Sequence, residues 1–158
     1  MKAKFVLIAA SAMVAVACAQ AEHNVDYPEN FRDMYHVKSL VLHDDHPLAD
    51  PFAGIHHIYA NDIAKQGYAK GKFDDGSVIV FDLFESNDGG GALAEGDRKL
   101  TGVMVKDSKH YSETGGWGFE GFAGDSKNER LVTDGGAGCF ACHSANAKDS
   151  DYVFSKLR

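Results

Sequence analysis

The run Ser77-Val78-Ile79-Val80-Phe81-Asp82-Leu83-Phe84-Glu85 is rich in β-branched and aromatic residues and almost continuously apolar. Asp74-Asp75-Gly76 ahead of it is a turn signal. A run of this kind, without a polar face, predicts a strand at the centre of a sheet with both sides covered.

Working outward, shorter strand signals flank it on both sides. Val37 to His43 alternates apolar and polar residues, and the polar stretch His43-Asp44-Asp45-His46-Pro47 ends it. Asp50-Pro51-Phe52-Ala53-Gly54 reads as a turn into a second strand, Ile55 to Tyr59. Asn61 can cap a helix whose apolar stripe is Ala60, Ile63, Ala64, Gly67 and Tyr68, with Gly71 where a helix stops. Asp88-Gly89-Gly90-Gly91 reads as a flexible loop, and no Lys-Ser/Thr follows to make it a phosphate cradle. Leu100 to Val105 and Trp117 to Phe122 are two more strands, the second with Trp117 and Phe119 on one face. Tyr27 to Met34 is a short helical or irregular lead-in. A short helix is expected after His143, closing at Tyr152-Val153-Phe154. The fold class predicted is mainly β (α+β), an antiparallel sheet of about five strands with one or two short helices. Seventeen glycines and three prolines spread through the body disfavour an all-helical bundle.

The chain has 158 residues, 44% hydrophobic and 25% charged, which suits one globular domain with a single core. Its formal charge of −7 excludes the basic footprint of a nucleic-acid binder. Residues 1–20 have the layout of a secretory signal peptide. Lys2 and Lys4 precede the apolar stretch Phe5 to Ala17, and Ala17-Cys18-Ala19 or Ala19-Gln20-Ala21 offers small residues for cleavage. A retained membrane anchor and lipid attachment at Cys18 are the competing readings. Residues 21–158 are then one domain, exported to a periplasm and free of the membrane once the signal is removed. Removing Lys2 and Lys4 leaves that domain more acidic still.

Without Cys18, two cysteines remain, in Cys139-Phe140-Ala141-Cys142-His143. This C-x-x-C-H spacing is the attachment sequence for c-type haem. Each thiol adds across one porphyrin vinyl group, and His143 is placed to ligate the iron. One haem c, held through two thioethers near the C-terminus, is therefore the expected cofactor. A structural zinc site would need two further ligands, and there is no second cysteine pair. Polar, glycine-rich Thr133 to Gly138 lets the backbone approach the porphyrin edge.

A sixth iron ligand is not singled out by spacing. Met34, Met104, His23, His36, His43, His46, His56, His57 and His110 are all available by residue type. His56 and His57 adjoin on a strand, so they point to opposite faces and cannot share one pocket.

The C-x-x-C-H motif followed by Asn146-Ala147-Lys148 and Val153-Phe154 resembles the C-terminus of the cytochrome P-460 / cytochrome c′-beta family. The likeness continues upstream in Pro28-x-Asn30-Phe31-Arg32, Pro51-Phe52, Tyr59 and Gly71-x-Phe73-x-Asp75-Gly76-Ser77-Val78. It extends through Val105-Lys106-Asp107-Ser108-Lys109 and Gly116-Trp117. The resemblance implies an antiparallel β-fold, usually dimeric, with one covalently attached haem and a proximal histidine.

Members that oxidise hydroxylamine carry a lysine bonded to the porphyrin in the strand after the D-G-[SA]-V turn, and a carboxylate base shortly before V-K-D-S. Here Phe81 stands at the lysine's register, and Leu100-Thr101-Gly102-Val103-Met104 holds no acid. The resemblance is therefore to the cytochrome c′-beta branch, with Phe52 and Phe81 matching the phenylalanines over the distal haem face. It implies a five-coordinate iron on His143 that binds small gases, chiefly nitric oxide and also carbon monoxide, for scavenging, transport or sensing. Hydroxylamine oxidation with Lys70 or Lys72 reaching the porphyrin is the alternative, and a low-spin electron carrier with Met104 or His57 as sixth ligand is another. A redox partner protein is compatible with each, since haem iron is redox-active.

Overall fold

The computed structural model describes residues 25–157; the expected signal peptide and His23 lie outside them. Five antiparallel strands form one sheet in chain order: β1 (Tyr35–Leu42), β2 (Gly54–Ala60), β3 (Val78–Gly89), β4 (Ala92–Lys106) and β5 (Trp117–Ala123). The apolar run therefore is the central strand, and Ile79, Val80, Asp82, Leu83 and Phe84 in it are all buried. A single turn, α1 (Ala49–Phe52), joins β1 to β2; α2 (Asp62–Lys70) joins β2 to β3; and α3 (Ala137–Ala147) follows the sheet.

The Asn61 cap forms as expected. Its Oδ1 accepts the Ala64 N–H at 2.9 Å and the Val78 N–H at 3.1 Å. One side chain thus satisfies the helix start and clips it to the entry of the central strand. Gly71, left-handed at φ 70°, ends the helix.

Two local expectations are corrected. Asp88 to Gly91 is not a loop, and the fourth strand does not begin at Leu100. The two strands run on to Gly89 and from Ala92, joined by Gly90 and Gly91 alone, at φ 61° and 78°. Two consecutive positive φ values give the tight turn whose twist matches its strands. This ribbon projects beyond its neighbours with both faces largely exposed, so it carries no burial pattern to read. The second correction concerns the last helix, which does not follow the C-x-x-C-H motif but contains it, starting just after Gly136 at φ 86°. Tyr152 lies in a turn beyond it, and Val153 and Phe154 begin the irregular tail.

On the front face of the sheet, α2, α3 and the tail cover a core built on Ile58, Ala60, Ile79, Trp117, Phe119 and Val153. On the reverse face, the lead-in segment covers Val103 and Phe122. There Tyr27 meets Phe122 edge-on at 5.1 Å and Phe31 meets Tyr59 at 5.6 Å. The fully buried Asp82 also faces this side, taking Arg32 at 2.8 Å and Arg98 at 2.7 Å.

Candidate haem-binding site

Cys139, Cys142 and His143 stand at i, i+3 and i+4 of α3, so one face of the helix presents all three. Both cysteines are free thiols; Cys139 packs against the front core and Cys142 is exposed. Burial pushes the Cys139 thiol above its ordinary range. The start of the helix is fixed by Asp134, whose carboxylate accepts the N–H groups of Gly138 at 2.8 Å and Gly136 at 3.0 Å. Those same bonds hold its carboxyl below the usual range.

The imidazole of His143 is built into the core. It lies between Phe119 and Phe154, at ring distances of 5.0 and 4.7 Å. Its Nδ1–H donates to the Tyr152 carbonyl at 2.6 Å. Burial lowers its pKa, so the ring is neutral near pH 7 and Nε2 keeps its lone pair.

The Tyr152 carbonyl is itself held by an anchored turn. Asp151 and Tyr152 are left-handed at φ 52° and 67°. The Asp151 carboxylate accepts from Lys106 Nζ at 2.9 Å and from the Phe73 N–H at 2.9 Å, while its backbone oxygen accepts the Trp117 indole N–H at 2.9 Å. Lys106 is buried, donates also to the Gly115 carbonyl at 3.1 Å, and lies over the Trp117 ring. Sequence reading did not assign Lys106 or Asp151 a role in the site. A lysine at the end of a strand reads as a solvated charge, and no local pattern shows that it is enclosed.

Beside the helix, the front of the sheet offers low apolar ground. Strand register sets Ile58, Phe81, Gly102 and Gly121 in one row, and Ala60, Ile79, Met104 and Phe119 in the next. The adjacent glycines let neighbouring side chains pack down onto the strands. A Cβ on Gly102 would come 3.0 Å from the Phe81 ring, and one on Gly121 3.4 Å from Leu131. Phe81, Met104 and Cys139 pack against the same front core. Phe52, exposed on α1, brings its ring within 5.9 Å of Phe81.

The two adjacent histidines separate as strand alternation requires. His56 is buried on the front, its ring 4.7 Å from Phe81 and its Nε2–H donating to the Phe52 carbonyl at 2.5 Å. His57 turns to the reverse face, bonded to Ser39 Oγ at 2.7 Å and Glu95 at 2.6 Å, and cannot reach the front. Met104 is on the front but is the register partner of Phe119, whose tilted ring lies 5.0 Å from His143. The buried carboxylates of the sheet, Asp82 and Glu120, both face the reverse side, where Glu120 is taken by Arg130 at 2.9 Å. Lys70 is engaged with Asp74 at 3.0 Å.

These residues fit a c-type haem. Two free thiols one turn apart adjoin an imidazole whose Nδ1 is engaged and whose Nε2 is available, beside the apolar front of the sheet. No described helix is long and apolar enough to cross a membrane. No curated protein matches the chain. A family model, Cytochrome P460, matches residues 28–155, nearly the whole of the described chain, and the protein belongs to that family of haem cytochromes.

Proposed function

We propose that this is an exported mono-haem c-type protein that binds nitric oxide, and also carbon monoxide, on an iron held from one side by His143. The observation that carries the reading is the chemistry of the front face. Phe81 stands where a crosslinking lysine would be, Leu100 to Met104 of β4 hold no carboxylate, and Asp82 and Glu120 point away. A bound haem would supply a redox-active iron able to take a diatomic gas.

The chain's own residues do the rest. Cys139 and Cys142 tether the group to α3. His143 is oriented and kept neutral by the Tyr152 carbonyl and its aromatic neighbours. Phe52 and Phe81 cover the opposite side with ring carbons, which neither ligate nor donate a hydrogen bond. A lining of ring carbons would offer dioxygen no hydrogen-bond donor, a disadvantage of about 1.5–3 kcal/mol, whereas nitric oxide and carbon monoxide depend far less on one. Scavenging, transport or sensing of the gas follows from such selectivity. The periplasmic address rests on residues 1–20, and a homodimer on the family resemblance.

An anaerobic optical titration tests this. The ferrous protein is expected to be high-spin and five-coordinate, and to shift on adding nitric oxide or carbon monoxide. A six-coordinate low-spin ferrous spectrum before any gas is added overturns the reading. Intact mass separates it from hydroxylamine oxidation, which calls for a third covalent link to the porphyrin.

A further inference from the structure

We propose that His56 and Lys99 are positioning residues that pin the backbone beneath Phe52, and so set how fast a diatomic ligand reaches the iron. The inference rests on the gas-binding reading above and assigns that reading its gate.

Phe52 ends a connection with little structure of its own. α1 is one turn, and Asp50 within it is not helical. A single turn closes few hydrogen bonds for the residues it orders, so it does not hold a side chain in place unaided. What holds this one comes from the sheet. His56 reaches back four residues from β2 and donates its Nε2–H to the Phe52 carbonyl at 2.5 Å. Lys99 donates its Nζ to the next carbonyl, that of Ala53, at 2.8 Å.

Lys99 can do so because of a fault in the strand pairing. Leu83 pairs with Leu100 but Phe84 pairs with Arg98, leaving Lys99 as the extra residue of a bulge. A bulge re-aims the side chain it carries, here toward the α1–β2 connection. Gly54 completes the attachment. At φ 135° it lies so close to the sheet that a Cβ would be 2.0 Å from the Phe84 carbonyl oxygen.

Three successive residues are thus fixed through their backbone, while the Phe52 ring remains 36% exposed. The same histidine also packs its ring on Phe81 at 4.7 Å. His56 therefore ties both phenylalanines to one rigid point. Its Nε2 is committed to the Phe52 carbonyl and so does not face the iron's open side.

The experiment is flash photolysis of carbon monoxide from the ferrous haem-loaded protein, with the iron–histidine stretch recorded by resonance Raman. His56→Phe keeps the ring without the donor, Lys99→Met keeps the stem without the charge, and Lys99→Arg keeps a donor. The association rate is expected to rise roughly tenfold in His56→Phe and Lys99→Met, and to stay near wild type in Lys99→Arg, with the iron–histidine stretch unchanged throughout. Should His56→Phe fail to take up haem, the Lys99 pair decides alone. Rates within about twofold of wild type in Lys99→Met, while Phe52→Ala accelerates binding, overturn the pinning and leave the gas-binding reading standing. If Phe52→Ala and Phe81→Ala also change nothing, both fall together.

Discussion

Lys106 and Asp151, 45 residues apart in the chain, form a largely buried ion pair at 2.9 Å, and that pair fixes the turn whose next carbonyl holds His143. Replacing Lys106 with Met leaves the Asp151 carboxylate enclosed without its charged partner. A loss of about 3 kcal/mol in urea denaturation is expected, since breaking a buried pair strands a charge. The iron–histidine stretch of the haem-loaded variant should broaden as the Tyr152 carbonyl loses its fixed place. An unshifted, sharp band would show that the turn holds itself.

The two arginines on Asp82 should not be equivalent. Arg98 is 15% exposed at its side chain and Arg32 50%, while the carboxylate between them is wholly buried. Arg98→Met is expected to cost about 3 kcal/mol and Arg32→Met about 1 kcal/mol or less, the difference reflecting how much water already screens each. Equal losses in chemical denaturation would refute that ordering. Both variants should keep carbon monoxide rates near wild type, because this cluster lies on the reverse face.

His56 gives the protein a pH dependence of known sign. Burial lowers its pKa below the ordinary 6.5, with the charge of Lys99 acting the same way. The folded state then binds fewer protons than the unfolded chain, so stability rises with pH through this window. The contribution is complete above pH 6.5 and is lost as pH falls from there toward the lowered folded value. Thermal melts of the haem-loaded protein should drop over this interval, and His56→Phe should flatten the drop. Parallel profiles for the two proteins would assign the dependence elsewhere.

Gly102 tests the floor of the site. A Cβ there would press the Phe81 ring at 3.0 Å, and a branched side chain would push that ring out from the sheet. Gly102→Val should fold, since β-branched residues suit strands, yet take up roughly tenfold less haem on co-expression with the attachment machinery. Haem absorbance per folded protein reads this directly. Wild-type loading would place the macrocycle away from β4.

Much of this architecture is legible in local pattern. The continuous apolar run gave the central strand because a strand covered on both faces has no polar period, and β3 lies third of five. Asn61 and Gly71 marked the helix ends, since caps are short-range hydrogen-bond chemistry. Alternation sent His56 and His57 to opposite faces. The hairpin beyond Glu85 escaped notice because its pairing buries almost nothing, and the helix bearing Cys139 because its residues are too small and too evenly apolar to show a stripe.

The C-x-x-C-H spacing, the acidic balance and the strand periods belong to the sequence itself, because each depends on residues a few positions apart. The Lys106–Asp151 anchor, the His56 and Lys99 ties to the Phe52 connection, and the paired glycines of neighbouring strands were decided only by folding. Each joins groups whose closeness is created by strand register and by one bulge, and no local rule of spacing encodes a register between strands.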